Sequence, residues 1–135
     1  MLDPVSEIRV SAVLLTSSDG RVLLVRKRGT STFMNPGGKP FPDEGPAECV
    51  IREVREELSL DLDPERLLAL GEFAAPAANE VGQMVRADCY RYLDPVPDGV
   101  SPAAEIAEIA WLDPEQPAQI ALAPLYAEHL QNHLQ

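Results

Sequence analysis

The stretch from Gly38 to Leu60, which reads GKPFPDEGPAECVIREVREELSL, decides the fold of this 135-residue chain. Its first glycine is followed six positions on by Glu44, and eight positions later a dense charged run begins at Arg52. Prolines and glycines end at Pro46, and good helix formers then continue to about Leu60. The stretch therefore predicts a Pro- and Gly-rich loop that leads into one amphipathic helix.

The predicted helix carries three carboxylates on one face, because Glu53, Glu56 and Glu57 fall within about 100° of one another on a helical wheel. Its apolar residues form a separate face: Ala47, Val50, Ile51, Val54 and Leu58. Like charges this close destabilise a helix, whereas a bound cation reverses the sign of that interaction. Hard cations such as Mg²⁺ take oxygen ligands and usually retain waters and substrate phosphates. The pattern favours a divalent-metal site for phosphate chemistry over a merely solvated Glu-rich helix face.

The same stretch resembles the signature box of the Nudix hydrolase (MutT-like) family, Gly-x5-Glu-x7-Arg-Glu-U-x-Glu-Glu-x-Gly-U, in which U is a bulky aliphatic residue. The matching positions are Gly38, Glu44, Arg52, Glu53, Val54, Glu56, Glu57 and Leu60. One position departs, because Ser59 stands where the family has its second glycine. That glycine ends the helix in a left-handed conformation, in which serine is less favourable by about 1 kcal/mol.

The resemblance implies an α+β protein with the Nudix fold, a mixed β-sheet sandwiched between α-helices (α/β/α), in a single domain over 1–135 with the box at 38–60. Pattern alone predicts only one mixed α and β domain. The predicted strands are 8–16, 21–28, 67–73, 84–93 and 107–112, and a second helix is predicted over 123–134. The Asp-Gly turn at 17–20 predicts that the first two strands form a hairpin.

The function that the resemblance implies is metal-dependent hydrolysis of a diphosphate linkage in a nucleoside diphosphate linked to another moiety. That substrate class includes nucleoside triphosphates, ADP-ribose and sugar nucleotides, and the cofactor is Mg²⁺ or Mn²⁺. The implied metal ligands are Glu53, Glu56, Glu57 and the backbone carbonyl of Gly38. Arg52 is expected to orient Glu56 by ion pairing, and Glu44 to stabilise the loop or to bind through water.

Two questions about catalysis stay open at this stage. The general base that accepts the proton of the attacking water is Glu53 by first preference, with Glu105 and Glu80 as alternatives outside the box. A second class of function is a catalytically inactive Nudix-fold module that binds a nucleotide and regulates. Such modules generally lose box glutamates, which this chain keeps, and only Ser59 favours that alternative.

Substrate contacts are predicted on the loops and strand ends around the box. The candidates are Arg26, Arg28, Phe33, Asn35, Asn79 and Glu80. Of Arg26, Lys27 and Arg28, one or two could meet phosphates, since alternate residues of a strand share a face, or the group could be a solvated strand end. Phe33 could stack on a base or pack in the core. Asn35 stands where the family more often has an apolar residue, although asparagine before proline is also a common turn signal.

Composition limits the partners. A net charge of −11 and a pI near 4.5 argue against nucleic acid polymers as partners, but allow a small nucleotide whose phosphates a metal neutralises.

The chain lacks a run long enough to span a membrane and a signal-peptide pattern at its start, so a cytoplasmic location is expected. Cys49 and Cys89 are expected to pack rather than react. The family often dimerises, so a homodimer stays an open alternative.

Overall fold

The computed structural model describes residues 7–134, which form eight strands and two α-helices. The strands are β1 (Glu7–Leu14), β2 (Val22–Lys27), β3 (Thr32–Phe33), β4 (Gly37–Gly38), β5 (Leu67–Pro76), β6 (Met84–Tyr92), β7 (Ile106–Leu112) and β8 (Ala121–Leu122). The helices are α1 (Pro46–Leu58) and α2 (Pro124–Glu128), and short 3₁₀ turns lie at Pro64–Arg66 and Leu130–His133. No helix in this described part of the chain has the length and apolar character needed to cross a membrane.

The largest sheet has four strands in the order β4-β1-β6-β5 and is mixed. Strand β1 runs parallel to β6 and antiparallel to β4, and β6 runs antiparallel to β5. Strands β2 and β7 form an antiparallel pair, and the short strands β3 and β8 form a parallel pair. The predicted mixed sheet is therefore confirmed.

Two hydrophobic clusters lie on opposite sides of the strands, because successive side chains of a strand point to opposite faces. One cluster joins β1 and β2 to helix α1 through Val13, Leu15, Leu23, Val25, Val50, Val54 and Leu58. The other joins the same strands to α2 and the turn after it through Ala12, Leu14, Val22, Leu24, Leu125, Tyr126 and Leu130. Helices thus cover both faces, which confirms the α+β sandwich. The free cysteines Cys49 and Cys89 are both buried, as expected.

The predicted hairpin between the first two strands forms only at its turn. Gly20 has φ of +84° and its N–H donates to the Ser17 carbonyl at 3.1 Å. Beyond the Thr16–Val22 bridge, however, β1 and β2 belong to different sheets. The reason is that β6 and β4 occupy the two edges of β1, so β2 pairs with β7 instead.

Two further elements differ from the prediction. Strand β5 continues to Pro76, three residues beyond the predicted strand over 67–73. Its pairing with β6 shifts register between Ala69 and Gly71, where Gly71 has φ of +112°. The predicted helix over 123–134 is interrupted at His129, which has φ of −127°. The His129 ring contacts the Ala74 carbonyl at 2.9 Å and stacks on a neighbouring phenylalanine, and these tertiary contacts accompany the break.

Helix α1 begins at Pro46 as the sequence pattern predicts and ends at Leu58, two residues before the predicted end near Leu60. Pro46 occupies its first turn, and the Glu48 carboxylate accepts a hydrogen bond from the Gly45 N–H at 3.1 Å. Ser59 ends the helix with φ of 56° and ψ of 34°, and its N–H donates to the Arg55 carbonyl at 3.0 Å. Serine therefore adopts the left-handed conformation that glycine adopts more readily.

We expect Ser59→Gly to raise the free energy of unfolding by about 0.5–1 kcal/mol, because glycine has no Cβ to oppose the left-handed conformation. Denaturant unfolding followed by circular dichroism measures the change. Ser101→Gly is the matched control, because Ser101 is exposed and has no left-handed backbone, and it should leave stability unchanged or slightly lower. Equal effects of the two substitutions would contradict the assignment of strain to Ser59.

Candidate active site

Three carboxylates converge beside helix α1. One oxygen each from Glu53, Glu57 and Glu105 lies within 4.8 Å of the others. Glu53 and Glu57 are neighbours on successive turns of the helix and are buried, whereas Glu105 is exposed on the loop before β7. The Glu105 backbone is anchored, because its carbonyl accepts a hydrogen bond from the Arg28 N–H at 2.9 Å. One of the two predicted alternatives for the base, Glu105, thus joins two predicted metal ligands.

The Glu57 carboxylate is the most buried member of this group, with 1% of the residue exposed. Its Oε1 accepts a hydrogen bond from the Gly37 N–H at 3.3 Å, and its Oε2 has no hydrogen-bond partner in residues 7–134. Burial, followed by the charge of Glu53, raises the pKa of Glu57 well above its usual range. An unpaired buried carboxylate oxygen is costly, and a cation would pair with it. Because all the candidate ligand atoms in this group are oxygens, the group fits a hard divalent cation.

The Arg52 side chain connects helix α1 to the loop before it. Its Nε and Nη2 donate to the two oxygens of Glu44 at 2.7 and 2.8 Å, and Nη1 donates to Glu53 at 2.8 Å. The predicted contact with Glu56 is also present, at 3.2 Å. The bidentate contact with Arg52 lowers the pKa of Glu44 to about 2. Arg52 therefore fixes the position of Glu53 as well as that of Glu56.

The loop itself is held by the same group of contacts. Arg52 Nη2 also donates to the Lys39 carbonyl at 3.1 Å, and the Glu44 carboxylate accepts a hydrogen bond from the Phe41 N–H at 3.1 Å. The Phe41 ring lies 3.8 Å from the Arg52 guanidinium, which is a cation–π arrangement. Glu44 thus occupies a position consistent with its predicted stabilisation of the loop.

Gly38 leaves room for the Glu53 carboxylate. A Cβ at this position would lie 2.5 Å from Glu53 Cδ and 2.7 Å from Oε2, so any side chain would displace that carboxylate. The Gly38 carbonyl, a predicted metal ligand, accepts a weak hydrogen bond from the Cys49 thiol at 3.5 Å.

Glu56, also a predicted ligand, is placed differently from its two neighbours. Its side chain is 50% exposed and pairs with Arg52, and it is not part of the group formed by Glu53, Glu57 and Glu105.

A cavity of about 380 Å³ opens beside the carboxylates, with Glu53, Glu105 and Gly38 among its lining residues. Three predicted substrate contacts also line it: Asn35, Asn79 and Glu80. Lys27 lines it too, with its Nζ 3.6 Å from Glu105 Oε1, although the sequence prediction preferred the two flanking arginines. Lys27 shares a strand face with Leu23 and Val25, but the sequence does not distinguish this face from that of Leu24 and Arg26, because both faces of β2 are apolar and buried.

The other three predicted substrate contacts do not line this cavity. Arg26 pairs with Glu108 at 3.0 Å and donates to the Thr30 carbonyl at 2.7 Å, so its charge is engaged elsewhere. Arg28 is exposed to solvent. Phe33 is 6% exposed and packs in the hydrophobic cluster that includes α2, which is its alternative core role.

Comparison with known proteins gives consistent matches. The sequence model described as the NUDIX domain matches residues 6–132. A CTP pyrophosphohydrolase of Escherichia coli (strain K12) is 32% identical over 124 residues, which cover 87% of this chain and 84% of that protein. An isopentenyl-diphosphate Delta-isomerase of Clavibacter michiganensis is 33% identical over 113 residues, covering 73% of this chain but only 54% of that protein. The MutT protein of Methanosarcina mazei Go1 has the same fold, with a TM-score of 0.75, 22% identity and coverage of 98% of this chain and 96% of the other.

We expect Gly38→Ala to weaken binding of Mn²⁺ by about tenfold or more, because the new methyl group displaces the Glu53 carboxylate. The displaced group is the end of a flexible side chain, so the thermal unfolding midpoint should change little. Calorimetric titration with Mn²⁺ measures the affinity. Gly99→Ala, at a position with open space around it, is the control and should bind Mn²⁺ like the unmodified protein. Unchanged Mn²⁺ affinity in Gly38→Ala would contradict the assigned role of Glu53.

Proposed function

The chain belongs to the Nudix family, and on this basis we propose that it is a metal-dependent hydrolase that cleaves a diphosphate linkage in a nucleoside diphosphate linked to another moiety. The predicted enzyme class, a hydrolase acting on pyrophosphate bonds, is confirmed by the family match and the named pyrophosphohydrolase relative. We propose the metal dependence and the substrate class from the residues of the site. The observation that carries it is the group of Glu53, Glu57 and Glu105 at the cavity, with the buried Glu57 Oε2 unpartnered among the described residues.

The carboxylates and a diphosphate substrate are all anions and repel one another. They can therefore come together only if a cation lies between the carboxylates and the substrate. Glu53 and Glu57 would hold Mg²⁺ or Mn²⁺, with the nearby Gly38 carbonyl as a further oxygen ligand. When bound, the ion supplies neutralisation of the diphosphate charge and a water of lowered pKa. The Arg52 contact at 2.8 Å keeps the Glu53 carboxylate in place for this role.

Glu105 is the residue that we favour as the general base. One oxygen of Glu53 is engaged by Arg52, and Glu57 is buried at 1% exposure, whereas Glu105 is exposed at the cavity. A carboxylate in that position can accept the proton of a water that attacks phosphorus. Glu80, the other predicted alternative, lines the same cavity but is outside the group of three.

Lys27 supports phosphate binding. Its ammonium group lies 3.6 Å from Glu105 Oε1 and lines the cavity, so it can pair with a phosphate oxygen next to the carboxylates. Arg26 and Arg28, the arginines predicted from the sequence, have no such access to the cavity.

The partner that we propose is a small nucleoside diphosphate derivative rather than a polymer. The net charge of −11 opposes binding along a nucleic acid backbone, and a cavity of about 380 Å³ is within the range of small-ligand sites. We also propose that the chain forms one domain, because both hydrophobic clusters share strands β1 and β2.

We expect metal-dependent turnover in a substrate panel, with a loss of at least about 100-fold in kcat/KM for Glu57→Gln. The panel holds nucleoside triphosphates, ADP-ribose, sugar nucleotides and isopentenyl diphosphate, each with Mg²⁺ and with Mn²⁺. Turnover is measured by chromatographic separation of each substrate from its phosphorylated products. Glu65→Gln, at an exposed position in a 3₁₀ turn, is the control and should retain activity.

The same panel tests the base. Glu105→Gln should lower kcat while Mn²⁺ affinity is retained, whereas Glu57→Gln should lower both. Turnover without metal, or full activity of Glu57→Gln, would defeat the proposal. A folded protein that binds nucleotides and hydrolyses none would favour the inactive binding module.

We expect Lys27→Gln to raise KM by about tenfold, because the substitution removes a charge that pairs with phosphate. Arg28→Gln is the matched control on the adjacent exposed residue and should leave KM nearly unchanged. Steady-state kinetics on the best substrate of the panel measures both. A larger effect of Arg28→Gln would show that the flanking arginine, and not Lys27, meets the phosphates.

A further inference from the structure

We propose that Asn35 sets the base preference of this site, by hydrogen bonding through its carboxamide to the polar edge of a nucleobase held in the cavity. This inference rests on the proposed function for the nucleotide class of the ligand. It does not depend on hydrolysis, so the two can fail separately.

The Asn35 side chain is buried without hydrogen-bond partners. The residue is 6% exposed, and neither Oδ1 nor Nδ2 has a partner in the part of the chain that the structure describes. Burial of an unpaired amide is unfavourable, and natural proteins retain such groups where they serve a ligand or a network. Asn35 lines the cavity, with both amide atoms just below the surface. Rotation of the unbonded side chain would bring the amide to a ligand in the cavity, which would supply the missing partners.

The backbone on either side of Asn35 is fixed. Met34 and Val25 exchange two backbone hydrogen bonds of 2.8 Å each, and the Pro36 carbonyl accepts one from the Val13 N–H at 3.0 Å. The backbone that carries the carboxamide is therefore fixed before any ligand arrives, which reduces the entropy lost on binding. The common turn role of asparagine before proline is not fulfilled, because the side chain makes no bond to its own loop.

The rest of the cavity suits a flat ring. Much of its lining is apolar: Ile8, Val10, Ala12, Met34, Val85 and Leu125. The carboxylates Glu53 and Glu105 also line it, so one ligand can contact both the metal site and Asn35. An apolar wall with a few convergent polar groups is the usual arrangement of a small-molecule site. The geometry therefore favours phosphates at the acidic group and the base against the apolar wall at Asn35.

The carboxamide has the chemistry to discriminate among bases. It offers one acceptor and two donor hydrogens in a plane, and nucleobases carry adjacent donors and acceptors on their edges. A sugar or an isoprenoid in place of the base offers no matching planar edge. Replacing the amide by a carboxylate leaves acceptors only, which favours a base that presents two adjacent donors, as guanine does.

The experiment compares Asn35→Leu and Asn35→Asp with the unmodified protein, using non-hydrolysable α,β-methylene triphosphates of adenosine, cytidine, guanosine and uridine with Mg²⁺. We expect the unmodified protein to show an affinity spread of about tenfold or more among the four bases. In Asn35→Leu the spread should fall to about threefold or less, because the pairing is lost. In Asn35→Asp the preference should move toward guanosine. Calorimetric titration measures the dissociation constants.

A stability measurement separates this role from a structural one. Without ligand, Asn35→Leu should raise the thermal unfolding midpoint by about 3 to 8 °C, because an unpaired amide is replaced by an apolar side chain of similar size. Asn132→Leu, at an exposed position outside the cavity, is the control and should change neither the midpoint nor the base preference. A lower midpoint in Asn35→Leu would indicate a structural role and overturn the proposal. Asn35→Asp is nearly isosteric and keeps the affinity test valid if the leucine variant does not fold.

The proposal is overturned if the unmodified protein shows no base preference, or if Asn35→Leu keeps the original ratios. It is also overturned if that variant weakens all four nucleotides and inorganic triphosphate equally. Base preference that depends on Asn35 without turnover of any nucleotide would defeat the proposed hydrolase and leave this inference standing. Turnover of a nucleotide, with affinity ratios among the four bases that do not change on substitution of Asn35, would support the hydrolase and overturn this inference.

Discussion

The ion pair between the Arg52 guanidinium and the Glu44 carboxylate is the contact on which the arrangement of the candidate site depends. It joins the loop after β4 to helix α1, and the same guanidinium binds Glu53, which Gly38 accommodates by having no side chain. The guanidinium offers five N–H donors in a rigid planar fork that matches the two oxygens of Glu44, whereas a lysine offers three donors on one nitrogen. Loop, helix and metal-ligand candidate are thus positioned by a single side chain.

Much of the local structure around the helix could be predicted from the sequence. The Pro46 start follows from short-range preference and the Arg52–Glu56 contact from helical spacing, and both are present. The left-handed conformation of Ser59 is implied by the family resemblance, against the short-range preference of serine. From the sequence, Glu105 could be named only as an alternative general base, and its place beside Glu53 and Glu57 could not be predicted. Its carboxylate reaches Lys27 through the pairing of β7 with β2, and such long-range registers are not visible in a local pattern.

The hairpin between β1 and β2 is a second case in which a local pattern does not predict strand pairing. A strong turn signal at Gly20 is realised locally, yet the strands on either side separate because both edges of β1 are occupied by other strands.

Buried polar atoms without hydrogen-bond partners also cannot be predicted from the sequence. Glu57 and Asn35 both keep buried polar atoms without partners in residues 7–134, and both belong to the surroundings of the cavity. Such locally unfavourable burial is expected where a fold serves a ligand rather than its own stability.

Strand β5 is the outer strand of the four-stranded sheet, and its shape bears on how the protein behaves at high concentration. An outer strand with free backbone groups invites pairing with another chain, and Leu68 adds an exposed apolar side chain there. The irregularity between Ala69 and Gly71 disturbs the regular row of donors and acceptors, and Pro76 at the strand end has no N–H to offer. Both features oppose edge-to-edge pairing between copies of the chain, and removal of the irregularity would leave a longer and flatter edge on which fibrils could grow.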